Sequence, residues 1–318
     1  SVSLVGDDVQ GIADQMDLPW SVYAMDSGGM KGSFEAGYSA ASLRIEKEMK
    51  TKEKIPVSVN VLGLSTVHMK GREDAEEIRR LLSLCGIRVI SMPGGGSNWE
   101  DIMDAPSASL NIVVRDELGL SLAKQMERDF GIPYMSCGLP YGTDGTVAWL
   151  SEIIEKLGAG ELTRASHEAA KLKEFLLRKG NNLESLWGPL WFDAVLISAP
   201  PSEALGIAET IRSEWIDTAR LVIHAQCVTE KTTPAADAIR VVMKNEKEIA
   251  KDYEDWQGGL VLSSSHETHL LRRMGRSFTG FHIALPSHDE VHFSDLPQCG
   301  LRGAGYLYEQ LWNAKLRK

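Results

Sequence analysis

A strand–helix–strand unit is encoded by residues 56–92, which read PVSVNVLGLSTVHMKGREDAEEIRRLLSLCGIRVISM. The apolar run Pro56–Leu64 is typical of a fully buried strand, and Ile87–Met92 predicts a second one. Between them, Glu73–Cys85 has apolar residues at helical spacing and an outer face rich in Glu and Arg. Two strands joined by such a helix indicate a parallel pair and therefore an α/β fold.

The same alternation of strands and helices continues on both sides of this unit. It predicts three α/β blocks with parallel sheets, at residues 1–55, 56–157 and 191–299. Residues 158–190 are helical and charged, with a break at Gly180-Asn181-Asn182, and we interpret them as a connector. Ala235–Ala250 is predicted to be a helix of the third block, and residues 300–318 contain a C-terminal helix. In such sheets, ligands bind where the strands end at their carboxyl edge.

Composition excludes several classes of function. The chain has 318 residues, 34 of them basic and 44 acidic, for a net charge of −10, and 43% are hydrophobic. This is ordinary globular composition, and the acidic balance argues against a nucleic-acid partner. No apolar run reaches the roughly 18 residues that suggest a membrane span, so we predict a cytoplasmic protein without a membrane partner. Because Ser1 is not Met and residues 2–5 already look like a strand, we expect a fragment.

The cysteines give no motif. Cys85, Cys137, Cys227 and Cys299 are scattered, and no CxxC pair is present. The sequence therefore shows neither zinc-knuckle nor thioredoxin-like spacing, and predicts buried or incidental thiols in a reducing compartment.

Two glycine-rich loops, Gly28–Ser33 and Gly94–Gly96, invite comparison with phosphate-binding loops. Neither has the GxxxxGK[ST] or GxGxxG spacing. Tight turns that need a positive φ are the favoured interpretation, and a conventional NAD enzyme is not indicated.

The histidines are the remaining candidates for chemistry. His266 and His269 are three residues apart, which is not the HExxH spacing of zinc proteases. His288 and His292 flank Asp289-Glu290 after the last predicted strand. A mononuclear metal site and a set of solvated or hydrogen-bonded histidines both remain open there.

A wider set of motifs resembles nitrogenase component 1 and its relatives, which include cofactor-assembly scaffolds and dark-operative tetrapyrrole reductases. The motifs follow that family's order and spacing over nearly the whole chain. They are Leu4–Val9, Gly32-Ser33 with Gly37-Tyr38, Glu77–Cys85, Pro93-Gly94-Gly95, Ala105–Asn111, Phe130–Tyr134, Leu139–Asp144, and His292 through Gly300–Ala304.

This resemblance implies three Rossmann-like α/β/α domains around a central cleft, with the C-terminal helix returning to the first domain. It also implies a subunit of a two-component reductase, assembled with a homologous subunit in a hetero- or homo-oligomer. An ATP-dependent iron–sulfur partner would pass electrons to an iron–sulfur cluster at the subunit interface. A second, interdomain site would reduce the substrate or hold a metallocofactor.

Where the sequence departs from the family pattern, the expected site residues differ from those of the family. The cluster-ligating cysteines would lie upstream of Ser1, so we expect this chain alone to be inactive. Arg115 stands where the resemblance places a cofactor-binding cysteine, and His288 and His292 lie near the expected histidine position. The resemblance thus predicts that Arg115, His288 and His292 contact substrate or cofactor.

The resemblance also assigns a position to the first glycine-rich loop, Gly28–Ser33. Gly28, Gly29, Met30 and Lys31 are predicted to lie near the interface cluster, where glycines allow close backbone approach. For Arg115, a simple ion pair with Asp116 or Glu117 remains an alternative. For the whole protein, the alternatives are a non-catalytic scaffold for metallocofactor assembly and a metabolite-binding module.

Overall fold

The computed structural model describes residues 8–16, 22–23, 25, 32–226, 239–241, 250 and 253–317. In chain order, the helices are α1 (Val9–Gln15), α2 (Phe34–Glu46), α3 (Gly71–Leu84), α4 (Trp99–Asp104), α5 (Asp116–Phe130), α6 (Thr143–Leu157), α7 (Thr163–Trp187), α8 (Pro201–Thr210), α9 (Ser265–Arg273) and α10 (Gly300–Leu316). The strands are β1 (Ser58–Leu62), β2 (Arg88–Ser91), β3 (Leu110–Val113), β4 (Tyr134–Ser136), β5 (Trp191–Ala199), β6 (Asp217–Ala225), β7 (Ile239–Val241), β8 (Leu260–Ser263) and β9 (Thr279–His282).

The first sheet is built from the block predicted at residues 56–157. Its strand order is β2-β1-β3-β4, and every pairing is parallel. All residues of β1 and β3 are buried, as expected for strands covered by helices on both faces. The parallel α/β organisation predicted from residues 56–92 is confirmed.

The second sheet belongs to the block predicted at residues 191–299. Its order is β7-β6-β5-β8-β9, again with parallel pairings throughout. The helix predicted over Ala235–Ala250 is wrong for Ile239–Val241, which pairs with β6 as an edge strand. The apolar and β-branched residues of this short segment suit a strand as well as a helix, so local pattern did not separate the two.

The connector contains one uninterrupted helix, α7, of 25 residues. The break predicted at Gly180-Asn181-Asn182 is wrong, because helical backbone continues through all three residues. Gly180 lies where α10 approaches α7, and a Cβ atom there would be 2.3 Å from the hydroxyl oxygen of Tyr308. Tertiary packing of the two helices thus accounts for the glycine.

One apolar core joins the two sheets. Its buried members include Val61 and Ile112 of the first sheet, Val195 and Leu262 of the second, and Leu307 of α10. The last helix packs against α3, α6, α7 and β9. Its return to residues 1–55, and the domain boundaries themselves, stay predictions.

Two acidic residues of α3 hold the start of α10. The Asp74 carboxylate accepts hydrogen bonds from the backbone N–H groups of Gln298 (2.7 Å) and Cys299 (3.0 Å). One turn later, Glu77 accepts from the backbone N–H of Arg302 at 3.2 Å. Helix N-termini leave such donors without helical partners, so these carboxylates satisfy them and fix α10 to the first sheet.

Helix α6 is held in the same way from the second sheet's side. Glu214, in the π-helical turn Ile211–Trp215, accepts hydrogen bonds from the successive backbone N–H groups of residues 143–145 at 2.7, 3.0 and 3.0 Å. Gly142 precedes them with a φ of +72°, and a Cβ atom there would lie 2.3 Å from the carboxylate. The glycine therefore permits both the left-handed turn and the close approach of Glu214.

Among the helices of the described residues, none combines the length and apolarity that crossing a lipid bilayer requires.

Candidate functional site

The carboxyl ends of the two parallel sheets meet between the second and third blocks. Arg115 directly follows β3, and Glu203 lies in the first turn of α8, just after β5. His68 lies between β1 and α3, near the same point. Ligands of parallel α/β proteins bind at this edge, so the side chains gathered here form the candidate site.

A buried ion pair lies at the centre of this junction. The Nε and Nη2 atoms of Arg115 lie 3.0 and 2.5 Å from Oε1 of Glu203. Arg115 has no exposed surface, and Glu203 is 3% exposed. The Asp74 carboxylate is 3.9 Å from Nη2 of Arg115, and His68 Nδ1 is 3.5 Å from Glu203. The guanidinium is thus enclosed by two carboxylates that come from different parts of the fold.

Burial and nearby charges shift the pKa values of these buried groups in different directions. Burial alone would raise the pKa of Glu203, but Arg115 and His68 outweigh it and hold that pKa below its usual value. Burial raises the pKa of Asp74 to about 6, although Arg115 and two backbone N–H groups favour its charged form. Tyr141 is also buried there, and burial together with the two carboxylates raises its pKa well above the usual value. Glu203 therefore loses its charge only below the usual pH range of a glutamate, whereas Asp74 titrates near pH 6.

A second cluster lies at the carboxyl end of β9. Nδ1 of His282, the last residue of that strand, is 2.7 Å from Oγ of Ser287, and Nε2 of His292 is 3.2 Å from the same oxygen. The Glu290 carboxylate lies 3.9 Å from His282 Nδ1 and 3.7 Å from His292 Nε2. His282 is 1% exposed, whereas Glu290 and His292 are half-buried.

The other face of the His282 ring is also occupied. Its Nε2 lies 3.3 Å from Oγ1 of Thr268 and 3.4 Å from Oδ1 of Asp289. Arg272 donates a hydrogen bond to the Asp289 carboxylate. Although partial burial opposes it, the hydrogen bond from Arg272 and the charges nearby lower the pKa of Asp289. A carboxylate and a hydroxyl thus both lie beside Nε2.

Lys70 connects the second cluster to the first sheet. Its backbone is left-handed, with a φ of +57°, and its ammonium donates a hydrogen bond to the carbonyl of Ser294. The same ammonium lies 5.7 Å from the ring centroid of Tyr306 in α10. This contact holds the loop that carries His292 against the segment that follows β1.

The predicted site residues are placed as follows. Arg115 forms an ion pair, which was one of its two predicted alternatives, but its partner is Glu203 instead of Asp116 or Glu117. His292 joins the second cluster. His288 is exposed and lines a pocket of about 270 Å³ with residues of α9. Gly28, Gly29, Met30 and Lys31 lie outside the described residues, as does Cys227.

The sequence missed His282, Glu203 and Asp74. A lone histidine at the end of an apolar strand has no motif around it, and only its position at a carboxyl edge points to a site. Of the described residues, the only set of three or more His, Cys, Asp or Glu side chains near enough for one metal ion is His282, Glu290 and His292.

Comparisons with known proteins identify the chain's relatives. A sequence model of the nitrogenase component 1 type oxidoreductases matches residues 1–316. One subunit of the light-independent protochlorophyllide reductase of Chlorobium phaeobacteroides is 25% identical over 301 residues, covering 89% of this chain and 55% of the relative. Nitrogenase iron–molybdenum cofactor biosynthesis protein NifE of Clostridium pasteurianum is 31% identical over 189 residues, covering 58% of this chain and 39% of the relative.

Solved structures share the fold. Nitrogenase Cp1 at pH 5 superposes with a TM-score of 0.71 and 20% identity, covering 99% of this chain and 68% of that chain. The same protein at pH 6.5 gives a TM-score of 0.66 and 17% identity, covering 90% and 66%. The chain spans about half the length of the protochlorophyllide reductase subunits it matches.

Proposed function

This chain belongs to the nitrogenase component 1 type oxidoreductases, and from that premise we propose that it is a subunit of a two-component reductase. In this proposal an ATP-dependent iron–sulfur partner supplies electrons, and the cleft between the second and third blocks binds the substrate or a metallocofactor. The observation that carries the proposal is the family match over residues 1–316. The titratable side chains at the meeting carboxyl edges of the two sheets support it further.

The iron–sulfur chemistry of this family needs cysteine thiolates. The described cysteines do not fit a cluster: Cys85 and Cys299 are buried, and Cys137 lies beside the carbonyl of Val113. Burial raises the pKa of both Cys85 and Cys299, which favours the thiol over the thiolate. We therefore derive no electron-transfer step through these cysteines. In the proposed complex, the cluster ligands come from outside the described part of the chain.

The proposed cleft residues have different access to a ligand. His288 is exposed and His292 half-buried, so both can contact a molecule in the cleft without rearrangement. Arg115 contacts an anionic substrate only if its pair with Glu203 opens. While the pair is closed, Arg115 acts as a positioning residue that holds the ends of β3 and β5 together.

Exposed apolar side chains support the proposed assembly with a homologous subunit. Val291 and Phe293 flank His292 and are 75% and 96% exposed, while Leu186 and Trp187 at the end of α7 are 75% and 60% exposed. Large apolar groups exposed together are typical of surfaces that another chain covers.

A second candidate function is a non-catalytic scaffold for metallocofactor assembly. The similarity to the cofactor biosynthesis protein of Clostridium pasteurianum favours it. Both functions need a cleft that accepts a cofactor, and they differ in whether the bound species turns over or is released.

The experiment is anaerobic isolation of the complex from its native host, followed by assays for iron, acid-labile sulfide and turnover. A reductase complex contains several irons and reduces a substrate only when the ATP-dependent partner and MgATP are present. The substrates tested include protochlorophyllide, named for the relatives, and dinitrogen. Transfer of an intact cluster to an acceptor protein, without turnover, identifies the scaffold. A complex without iron or sulfide after reconstitution contradicts both functions.

The Arg115→Lys variant of the same complex tests the predicted substrate contact. Lysine keeps the positive charge but loses the guanidinium fork that matches a carboxylate. If Arg115 binds substrate, turnover falls while iron content is unchanged. Full turnover in the variant contradicts that role.

A further inference from the structure

We propose that His282, Glu290 and His292 bind a single divalent first-row transition-metal ion of the Zn²⁺ or Fe²⁺ type. The ligands are Nδ1 of His282, one carboxylate oxygen of Glu290 and Nε2 of His292. This is a mononuclear site held by three side chains of one chain. It needs no cysteine thiolate and no second subunit, so it differs from the clusters of the proposed reductase and does not depend on that function.

The three ligand atoms converge on one point. They all lie within 4.8 Å of one another, and the two nitrogen–oxygen separations are 3.9 and 3.7 Å. In a tetrahedral zinc site with bonds of about 2.1 Å, ligand atoms are about 3.4 Å apart. Closing the site around an ion therefore shortens the two nitrogen–oxygen separations by a few tenths of an ångström and the nitrogen–nitrogen separation by at most about 1.4 Å. Rotations of the half-buried Glu290 and His292 side chains provide these shifts.

The Ser287 hydroxyl shows that both rings face the same position. Its oxygen contacts His282 Nδ1 at 2.7 Å and His292 Nε2 at 3.2 Å. A single small polar atom thus already lies between the two nitrogens. Rotation about χ1 of Ser287 moves the hydroxyl aside and leaves both ring nitrogens facing the space it occupied.

The surroundings of His282 match those of a metal ligand. Metal-bound histidines almost always donate their other ring N–H to a carboxylate, a carbonyl or water. Here Nε2 faces Asp289 at 3.4 Å, and Arg272 holds Asp289 in place. Nε2 thus has a carboxylate beside it, and Nδ1 is the ring nitrogen that faces the proposed ion position. Asp289 is thus a positioning residue, not a ligand.

The donor set defines the class of metal. Two imidazoles and one carboxylate suit Zn²⁺ or Fe²⁺ better than Mg²⁺ or Ca²⁺, which prefer oxygen ligands. Three protein ligands also leave at least one position for water or a substrate oxygen, as in catalytic zinc sites. The half-buried positions of Glu290 and His292 give that coordination position a route to solvent.

The test uses Co²⁺ as a spectroscopic probe and Zn²⁺ as the competing ion, on the purified protein without reductant, nucleotide or redox partner. We expect one Co²⁺ per chain, with visible absorption of a low-coordinate site, and its displacement by one Zn²⁺. Glu290→Gln and His292→Gln should each weaken binding at least tenfold. His266→Gln is the matched control, because His266 is an exposed histidine of α9 outside the ligand set, and it should bind like the wild type.

Asp289→Asn tests the positioning role separately. Loss of an outer carboxylate typically weakens metal binding by 10- to 100-fold. We expect a loss in that range with the shape of the Co²⁺ spectrum retained. Far-ultraviolet circular dichroism and thermal melting without metal show whether each variant is folded. If one of the two ligand variants does not fold, the other still tests the site.

Several results overturn the proposal. They are the absence of a visible Co²⁺ spectrum at millimolar metal, wild-type affinity in a folded Glu290→Gln variant, and equal losses for His266→Gln and His292→Gln. Since the assay contains no electron donor, these outcomes are separate from failure of the reductase function. That function fails instead through missing iron, sulfide or turnover in the isolated complex.

Discussion

Arg115 and Glu203 form a buried ion pair that links the end of one parallel sheet to the end of the other, with Nε and Nη2 of the arginine 3.0 and 2.5 Å from one carboxylate oxygen. Each residue closely follows the buried C-terminal end of a strand, so the pair fixes the relative position of the two carboxyl edges. These edges bound the candidate cleft. A change in the pair therefore acts both on stability and on the shape of the site.

Removing the carboxylate of this pair should be costly. In Glu203→Gln, the buried guanidinium of Arg115 loses its closest counter-charge, and breaking such a pair from one side typically costs about 3–5 kcal/mol. We expect a loss of that order in the free energy of unfolding, measured with urea. The control is Asp104→Asn, which breaks the exposed pair with Lys52 and should cost less than about 1 kcal/mol. Equal losses in the two variants would contradict the structural role of the buried pair.

Asp74 should make stability depend on pH. Its pKa is about 6 in the folded protein, above the usual 3.8, because burial favours the neutral form. Stabilisation from the tightly held proton is complete below about pH 4 and is lost as the pH rises through about 6. Asp74→Asn keeps an oxygen acceptor for the N-terminus of α10 but does not titrate.

The measurement compares urea unfolding of the two proteins from about pH 4 to about pH 7. The stability of the wild type relative to Asp74→Asn should fall by roughly 2–3 kcal/mol over that interval, at about 1.4 kcal/mol per unit of pKa shift. A constant difference across the interval would mean that Asp74 has no raised pKa in the folded state.

Local sequence pattern predicted the elements that depend on local periodicity and failed where distant contacts decide the structure. The parallel units around residues 56–92 were predictable because their strands and helices have distinct local periodicities. The partner of Arg115 was not, because Glu203 is 88 residues away and only the docking of the second sheet brings it near. Local helix propensity alone led to the prediction that Gly180 breaks the helix. The helix is continuous, and close packing against Tyr308 explains why a glycine lies inside it.

The site was predictable only in part for the same reason. His292 was predicted from its place beside Asp289-Glu290 after the last strand and from a family-like motif. His282 carries no motif, and a single histidine at a strand end resembles an ordinary core residue. The proximity of His282, Glu290 and His292 depends on how the loop after β9 folds back. That path depends on tertiary contacts such as the hydrogen bond from Lys70 to Ser294, 224 residues apart.

Glu214 should stabilise α6 from outside the helix. It accepts hydrogen bonds from three successive backbone N–H groups at the N-terminus, where a negative charge is favourable. We expect Glu214→Ala to lower the free energy of unfolding by about 1–3 kcal/mol, because those donors lose their partner. Glu214→Gln should lose less, since an amide oxygen still accepts but the charge is gone.

The control for this variant is Glu209→Gln, at an exposed position of α8. It removes the same charge without a hydrogen bond to the N-terminus of α6 and should change stability by less than about 0.5 kcal/mol. If Glu214→Gln and Glu209→Gln have the same urea midpoint, the capping role is wrong.

Substituting alanine for two helix glycines should change the free energy of unfolding in opposite directions. At Gly119 in α5, a Cβ atom would lie 2.8 Å from the backbone of both Leu62 and Gly63, at the end of β1. Neither backbone can move without shifting the strand that ends beside Arg115. We expect Gly119→Ala to destabilise the protein by about 1–3 kcal/mol through this overpacking, in spite of alanine's higher helix propensity.

Gly37 in α2 provides the matched case. It is also inside a helix, but a Cβ atom there meets nothing within 4 Å. Gly37→Ala should therefore stabilise the protein by up to about 1 kcal/mol, because only the backbone entropy and helix propensity change. Urea unfolding of both variants measures the difference. Stabilisation by Gly119→Ala would show that α5 and β1 are not in the close contact on which the geometry of Arg115 depends.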